Sequence, residues 1–266
     1  KGEGNMVMKK IQQDFSILEK LELERPPVGI KYEFFKPEGI EQLNKALALC
    51  EMVKEAQQRE KPFYITEDNE DCAGKGALGM MVAPAWAEAG EIGVRMEVFQ
   101  NARANLRCME HYGVIKHGIV NYVVFSRLDQ MTFEPDLLVF VAPPEKAELI
   151  LRAMSYSTGE MYESKATPIF QCSWLYTYPY VTGKVNYVMT GLGFGMRARE
   201  VFPPGLAIVS VPWTWIPTIL ANLKEMKWEL PAWTYGRERW LKEESATLAK
   251  LHQESKDAGL IKDKDK

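Results

Sequence analysis

The chain has 266 residues, 46% of them hydrophobic and 26% charged, which is an ordinary composition for a globular protein. Its formal net charge of −3 argues against a nucleic-acid-binding protein, because such proteins usually carry a basic field. No apolar run approaches the roughly 20 residues that cross a bilayer, and the first residues hold no signal-peptide core. We therefore expect a cytoplasmic protein without membrane or nucleic-acid partners.

The first half of the chain predicts alternating helices and strands. Apolar spacings of three and four predict a helix over residues 6–23, and residues 28–35 alternate as a strand does. Pro37 suits the first turn of a helix that we expect to run to about Arg59. A short strand is expected over residues 63–65, and a polar, glycine-rich loop over residues 68–79. Residues 85–112 are expected to be helical.

The second half predicts four strands and three helices. The strands are expected over residues 119–125, 137–141, 185–189 and 206–211, and the helices over 145–156, 172–178 and 213–226. The segments that begin at Leu137 and Leu206 resemble each other, since both predict a strand, a proline turn and a helix, and the segment from Val28 is a looser third copy.

Strand-to-helix units of this kind predict an α/β fold in which helices cover a mixed sheet, with α+β as the alternative. We expect a single globular domain over residues 1–240. The remaining residues, 241–266, are highly charged and predict a solvated helix and tail.

Four cysteines, at positions 50, 72, 108 and 172, are candidate metal ligands, because thiolates bind soft metals and iron–sulfur clusters. They include no C-x-x-C pair, so any site has to be assembled by the fold from distant segments. Cys50 also fits a buried apolar thiol on a helix. Cys72 lies in a polar loop where Gly74 and Gly76 let the backbone approach a ligand closely. Cys172 fits either interpretation.

A second candidate site is the glycine-rich bend that follows the strand predicted over residues 185–189. Gly191, Gly193 and Gly195 precede Arg197 and Arg199, and this combination can form an anion-binding turn. A bend at a tight packing contact is the alternative. The spacing does not match the dinucleotide-binding fingerprint.

Other polar and aromatic groups have ordinary interpretations. Cys108 and His111 are one helical turn apart, a spacing that can hold zinc, but they lack a matching second pair, so a packed helix is favoured. The carboxylates of Glu70 and Asp71 are expected in a solvated loop. The tryptophans at positions 213, 215, 228, 233 and 240 are expected in the core or in a subunit interface.

Four stretches resemble the domain of unknown function 169 family of archaea and bacteria, which is common in anaerobes. They are PPVGIKY from Pro26, LCEMVKEAQQREKPFYITEDNEDCAGKGALGM from Leu49, EPDLLVFVAPPEKAELILRAMSYSTGE from Glu134 and CSWLYTYPYVTGKVNYVMTGLGFGMRAR from Cys172. The resemblance runs from residue 26 to about residue 223 and rests on the pattern and order of these stretches. It contains no diagnostic catalytic motif.

The resemblance implies a shared site based on cysteine, without a reaction. Members of the family typically carry cysteine at the positions of Cys50, Cys72 and Cys172. They often add a fourth, as C-x-G-x-R, where this chain has Gly193. The resemblance therefore implies that the three cysteines act together.

Three hypotheses for function follow, and none of them specifies a reaction. The first is a protein of anaerobic metabolism that binds an iron–sulfur cluster, or another cysteine-ligated metal, through Cys50, Cys72 and Cys172 at one pocket near the glycine-rich bend, with Cys108 elsewhere. The second is a non-catalytic module for a small anionic metabolite or cofactor. The third, compatible with either, is a homodimer formed through the tryptophan-rich residues 213–240. The candidate cofactor-binding residues are Gly74, Gly76, Gly191, Gly193, Gly195 and Arg197.

Overall fold

A seven-stranded mixed sheet organises most of the chain. The computed structural model describes residues 13–82 and 85–261, apart from the side chains of residues 86 and 231. Two compact units divide at residues 224 and 225. The first residues of the helix predicted over residues 6–23 lie outside the described residues, and in the described part the helix is limited to Ser16–Glu19.

The strands lie in the order β2-β3-β4-β1-β5-β7-β6. They are β1 (Val28–Glu33), β2 (Glu41–Gln42), β3 (Phe63–Ile65), β4 (Tyr122–Arg127), β5 (Leu137–Ala142), β6 (Asn186–Met189) and β7 (Ala207–Pro212). β2 and β3 pair in parallel and the other neighbours pair antiparallel. The predicted mixed sheet with helices around it is confirmed.

Helices occupy most of the connections between strands. They are α1 (Ser16–Glu19), α2 (Leu49–Gln58), α3 (Gly74–Ala77), α4 (Ala85–Glu88), α5 (Ile92–Arg95), α6 (Ala102–Met109), α7 (Pro144–Tyr156), α8 (Tyr178–Thr182), α9 (Phe194–Ala198), α10 (Ile216–Glu225), α11 (Pro231–Thr234) and α12 (Arg237–Asp257). The helical stretch predicted over residues 85–112 is thus three short helices, because Gly90 and Glu97 adopt positive φ values of 72° and 57° and interrupt the run twice.

The two similar segments that begin at Leu137 and Leu206 contribute neighbouring strands to the sheet. β5 and β7 are adjacent antiparallel strands, and all six residues of each are buried. Pro143 and Pro212 end the two strands with φ near −57° and −55°, and a helix begins within a few residues of each. Both faces of these strands are buried, which explains why their sequences are almost continuously apolar.

The helix predicted from Pro37 to Arg59 is wrong in its first half. Residues 41–43 instead run beside β3, where Leu43 N–H donates to the Tyr64 carbonyl over 2.9 Å. The side-chain amide of Asn69 donates to the carbonyls of Leu43 (2.7 Å) and Lys45 (3.1 Å), which holds them out of helical geometry. The third copy of the repeat therefore lacks its helix, and α2 begins only at Leu49.

A continuous apolar core fills one face of the sheet. It combines alternate residues of the central strands, such as Ile30, Phe125 and Val139, with Met52 and Val53 of α2. Leu175 and Tyr176 join it from Ser173–Thr177, a π-helical turn that continues into α8. α7 packs against β5 and β7. The candidate site is built from the segments at the edge of this core.

The second unit consists mainly of α12, a helix whose side chains are exposed or half-buried. It carries charged pairs one turn apart, including Arg239 with Glu243, as a solvated helix does. It begins at Arg237, four residues before the charged segment predicted from the sequence. Trp233 is 57% exposed, so it is not a core residue. Within the described ranges, every helix is too short or too polar to cross a membrane.

Candidate functional site

Three of the four cysteines line a single pocket of about 220 Å³. Cys50 is the second residue of α2, Cys72 lies two residues before α3, and Cys172 immediately precedes the π-helical turn. The other walls are largely apolar. They are formed by Ala48, Leu49, Glu70, Ala73, Gly74, Ile92, Met96, Ile169, Phe170, Gln171, Phe194, Gly195, Met196, Ala198 and Arg199.

The position of Cys50 follows from where α2 begins. The sequence places this thiol near the end of a helix, whereas it lies in the first turn of α2, because the residues before Leu49 are not helical. Glu51 caps this turn by accepting the N–H of Ala48 over 2.9 Å. Cys50 is 8% exposed and belongs to the apolar core, yet it also reaches the pocket.

Glu70 joins the two segments that carry Cys50 and Cys72. One carboxylate oxygen accepts the N–H of Leu49 over 2.9 Å, and the other accepts those of Cys72 (3.1 Å) and Lys75 (3.0 Å). Its side chain is only 1% exposed, so the expectation of a solvated carboxylate is wrong for Glu70. Since three N–H groups converge on it, Glu70 fixes the first turn of α2 against the loop that precedes α3.

Gly74 permits the close approach of these two segments. A Cβ at this position would lie 2.8 Å from the Glu70 Oε1 atom and 2.8 Å from the Leu49 Cβ atom. By contrast, a Cβ at Gly76, in the same short helix, would meet nothing within 4 Å. Gly74 therefore contributes to the site by its lack of a side chain.

Gln171 forms part of the pocket beside Cys172. The side chain is buried, with 5% exposed, and neither Nε2 nor Oε1 has a hydrogen-bond partner among the described residues. Phe170 precedes it in the left-handed region, with φ of 57°, a conformation that is uncommon for a bulky residue. A Cβ on Gly193 would lie 2.2 Å from Gln171 Cγ, so the glycine leaves the space that this side chain occupies.

Arg199, at the end of α9, joins this helix to the two segments that carry Cys50 and Cys72. Its guanidinium donates to Glu51 of α2 over 2.9 Å and pairs with Asp71, next to Cys72, over 3.1 Å. The two carboxylates therefore compensate its charge. Arg199 lines the pocket, while Arg197, the arginine chosen from the sequence, is exposed and not part of the lining.

Desolvation dominates the electrostatics of the pocket. It raises the pKa of the Cys50 thiol to about 12, and the nearby Cys72 and Glu51 add to this effect. It also raises the pKa of Cys172 well above its ordinary value, with further contributions from Cys50, Glu70 and Cys72. Burial raises the pKa of the Glu70 carboxyl as well, although its three N–H donors oppose the shift. Extra negative charge is therefore unfavourable here.

Three thiols are the candidate metal ligands of the pocket. In the part of the chain that the structure describes, no three His, Cys, Asp or Glu side chains are grouped closely enough to hold one metal ion. An iron–sulfur cluster is larger, since iron–sulfur bonds of about 2.3 Å place its ligand sulfurs roughly 6 to 7 Å apart. Three thiols around an apolar pocket of this volume fit the chemistry of such a group.

The glycines chosen from the sequence and Cys108 divide between the pocket lining and other places. Gly195 lines it together with Gly74, whereas Gly76, Gly191 and Gly193 do not, although Gly193 packs against Gln171. Cys108 lines a separate groove with His111, Lys165, Trp174 and Tyr178, and its sulfur lies 3.6 Å from the Tyr112 hydroxyl.

Sequence reasoning missed Glu70 and Gln171. A single glutamine beside a cysteine gives no signal of burial, and Glu70 stands among other acidic residues in an apparently solvated loop. One signal for Glu70 was present in Gly74, because a glycine can mark a close backbone approach. Recognising the partner of that approach requires the fold.

Comparisons with known proteins identify relatives without a described activity. A family model for uncharacterised ArCR proteins, domain of unknown function 169, matches residues 16–222. An uncharacterised protein of Methanocaldococcus jannaschii is 29% identical over 154 residues, which are 56% of this chain. The match covers 65% of that relative, somewhat under two thirds of its length. No solved structure matches.

Proposed function

Since the chain belongs to the domain of unknown function 169 family, whose members are uncharacterised, we propose a function from its pocket: the protein binds an iron–sulfur cluster through Cys50, Cys72 and Cys172. The observation that carries the proposal is that three cysteines from three distant segments line one pocket, while Cys108 lines another. Twenty-one residues separate the first two cysteines and ninety-nine the last two, so short-range spacing cannot account for the arrangement.

The segments that bear the cysteines are held in place independently of any bound group. Glu70 fixes the segments of Cys50 and Cys72, and Arg199 ties both to α9. Ser173 anchors the third segment, because its hydroxyl donates to the Gly113 carbonyl over 2.8 Å. Preorganised ligands lose less conformational entropy on binding, which favours a resident cofactor.

The protonation of the thiols makes binding depend on pH. Desolvation raises the pKa values of Cys50 and Cys172, so both thiols carry protons near neutral pH. Ligands to a metal must be deprotonated, and binding therefore releases these protons. The positive charge of iron replaces them and relieves the like-charge repulsion among the thiolates.

Three thiolate ligands suit a reactive site better than an electron-transfer site. When bound, a four-iron cluster with three cysteine ligands leaves one iron available as a Lewis acid for an oxygen-bearing substrate. Ile92, Met96 and Phe194 contribute apolar walls to the pocket in which the three cysteines would hold the cluster. Burial of this kind also shifts the reduction potential of a cluster.

Anaerobic purification and reconstitution test the proposal. We expect iron and acid-labile sulfide in the wild-type protein, with the broad visible absorbance of a cluster. Single Cys50→Ala, Cys72→Ala and Cys172→Ala variants should each lose most of the iron. Cys108→Ala is the matched control and should retain it, since its thiol lines a different groove.

Two results would overturn the proposal. One is a wild-type protein that stays colourless and free of iron after anaerobic reconstitution. The other is iron that binds equally in the Cys72→Ala and Cys108→Ala variants. Cys72 is the informative position because it is exposed, and its replacement therefore costs little packing.

A further inference from the structure

The pocket that contains the three cysteines presents few polar side chains to a ligand. The Glu70 carboxylate accepts three backbone N–H groups, and the Arg199 guanidinium pairs with Glu51 and Asp71. The carboxamide nitrogen and oxygen of Gln171 each expose less than 1 Å². Apart from the cysteines, a molecule in the pocket therefore meets polar side chains of the described lining that are already paired or covered.

Two large apolar side chains stand at the mouth of the pocket. Phe194 and Met96 both line it, yet they are 41% and 43% exposed, so each contacts the cavity and the solvent. The N–H of Phe194 donates to the Pro168 carbonyl over 2.7 Å, which fixes the backbone at this position. Ile169 and Met196 also line the pocket and are buried. Apolar surface therefore extends from the interior of the pocket to its mouth.

A lining of this kind selects a ligand by its apolar body. Sites for small molecules are mainly apolar, with a few polar groups that fix the orientation of the ligand. In the described lining those groups are the three thiols, where the proposed cluster would offer one iron to an oxygen atom. Each further polar group on a ligand would be buried without a partner and would weaken binding roughly tenfold.

We propose that the substrate of this pocket is a small molecule with an apolar body and a single oxygen-bearing end. The body lies against Phe194 and Met96, and the oxygen is directed at the three cysteines. The oxygen end rests on the proposed function, whereas the apolar body rests on the lining alone. A straight-chain alcohol is the simplest member of this class.

A series of 1-alkanols tests the apolar body in iron-free protein. NMR of isotope-labelled methionine methyl groups provides a reporter in the lining, Met96, and one outside it, Met161, which is 75% exposed. From 1-propanol to 1-hexanol, we expect the Met96 signal to shift saturably, with a dissociation constant that falls about threefold to fourfold per methylene. The Met161 signal should not move, and glycerol, which has no apolar body, should shift neither signal.

Two substitutions in the same segment separate the lining from its surroundings. Phe194→Ser removes an apolar wall but keeps the N–H that binds Pro168, and it should weaken 1-hexanol roughly fivefold. Leu192→Ser is the matched control, because Leu192 is 57% exposed and outside the lining, and it should bind as wild type does. An affinity that does not rise with chain length, or equal losses in the two variants, would overturn the apolar body.

Reconstituted protein tests the oxygen end. In protein that contains iron and sulfide, 1-hexanol should change the visible absorbance of the cluster, whereas 1-chlorohexane, which has the same chain without an oxygen, should not. An unchanged spectrum at saturating 1-hexanol overturns the oxygen end. A protein that holds no iron refutes the proposed function and with it the oxygen end, while the chain-length series in iron-free protein still decides the apolar body.

Discussion

The cysteine pocket and the groove of Cys108 show how differently one residue type can be used in the same chain. In the pocket, three cysteines from separate segments surround a space of about 220 Å³, and desolvation raises the pKa values of two of them. In the groove, Cys108 is the one cysteine among the described lining residues, and its sulfur lies 3.6 Å from the Tyr112 hydroxyl.

The difference between them lies in the support around the thiols. A buried carboxylate and an ion-paired arginine hold the pocket, and a buried amide in its wall has no partner. Next to the groove, Glu163 pairs with Lys184 and with the groove residue Lys165 near the surface. Buried and unpaired polar groups destabilise a fold, so their concentration around the pocket favours a binding site there. The groove of Cys108 has no comparable feature among its described lining residues.

The largest expected effect on stability comes from replacing Glu70, the carboxylate that holds two segments of the pocket together. Glu70→Gln should lower the free energy of unfolding by about 3 kcal/mol, because an amide cannot accept all three N–H groups and leaves buried donors unpaired. Urea denaturation measures this change.

Glu163→Gln, next to the groove, provides the corresponding control. Its ion pairs lie near the surface, so we expect a loss under about 1 kcal/mol. Equal losses in the two variants would show that Glu70 has no special part in stability.

The second effect concerns the pH dependence of stability. The pKa of Cys50 is about 12 in the folded protein, above its ordinary value of 9.0, so the unfolded chain loses this proton first. The stability that the protonated thiol contributes is therefore complete below pH 9 and is lost as the pH rises toward 12. Between pH 9 and 10.5 this amounts to roughly 2 kcal/mol.

Cys50→Ser removes the titrating group with little change in size, and its stability should therefore fall less steeply over the same pH interval. The measurement is urea denaturation at a series of pH values with iron-free protein under reducing conditions. Identical slopes in the two proteins would contradict the assigned burial of Cys50.

The smallest expected effect separates two glycines of α3. Gly74→Ala should destabilise the protein by about 1.5 kcal/mol, since the new Cβ collides with Glu70 and Leu49. Gly76→Ala should be neutral or stabilise by about 0.5 kcal/mol, because it meets no neighbour and restricts the unfolded chain. Thermal denaturation distinguishes them, and a loss at Gly76 as large as at Gly74 would refute the packing argument.

The strands were predictable where local sequence decides the structure. β5 and β7 are continuous apolar runs that end at Pro143 and Pro212, and the helices after them follow the usual period. The predicted helix from Pro37 failed because Asn69, far along the chain, binds the carbonyls of Leu43 and Lys45. A long-range side-chain contact of this kind leaves no trace in local periodicity.

The site was predictable in its cysteines but not in its supports. Cys72 stood out by lying in a polar glycine-rich loop, and the family resemblance implied Cys50 and Cys172 beside it. The parts that Glu70 and Gln171 play in the site depend on which side chains the fold buries together, and no spacing in the sequence predicts this. Arg197 and Arg199 are both exposed, and only Arg199, which immediately follows α9, lines the pocket.

The π-helical turn Ser173–Thr177 bears on how this family can tolerate insertions and deletions. A π turn holds one residue more than an α turn, and removing that residue would restore the ordinary helix. Everything before it, including Gln171 and Cys172, would then rotate by about 100° relative to α8. A single-codon deletion could thus preserve every helix and strand while carrying a thiol and an amide out of the pocket, so the length of this segment is as much part of the site as its side chains.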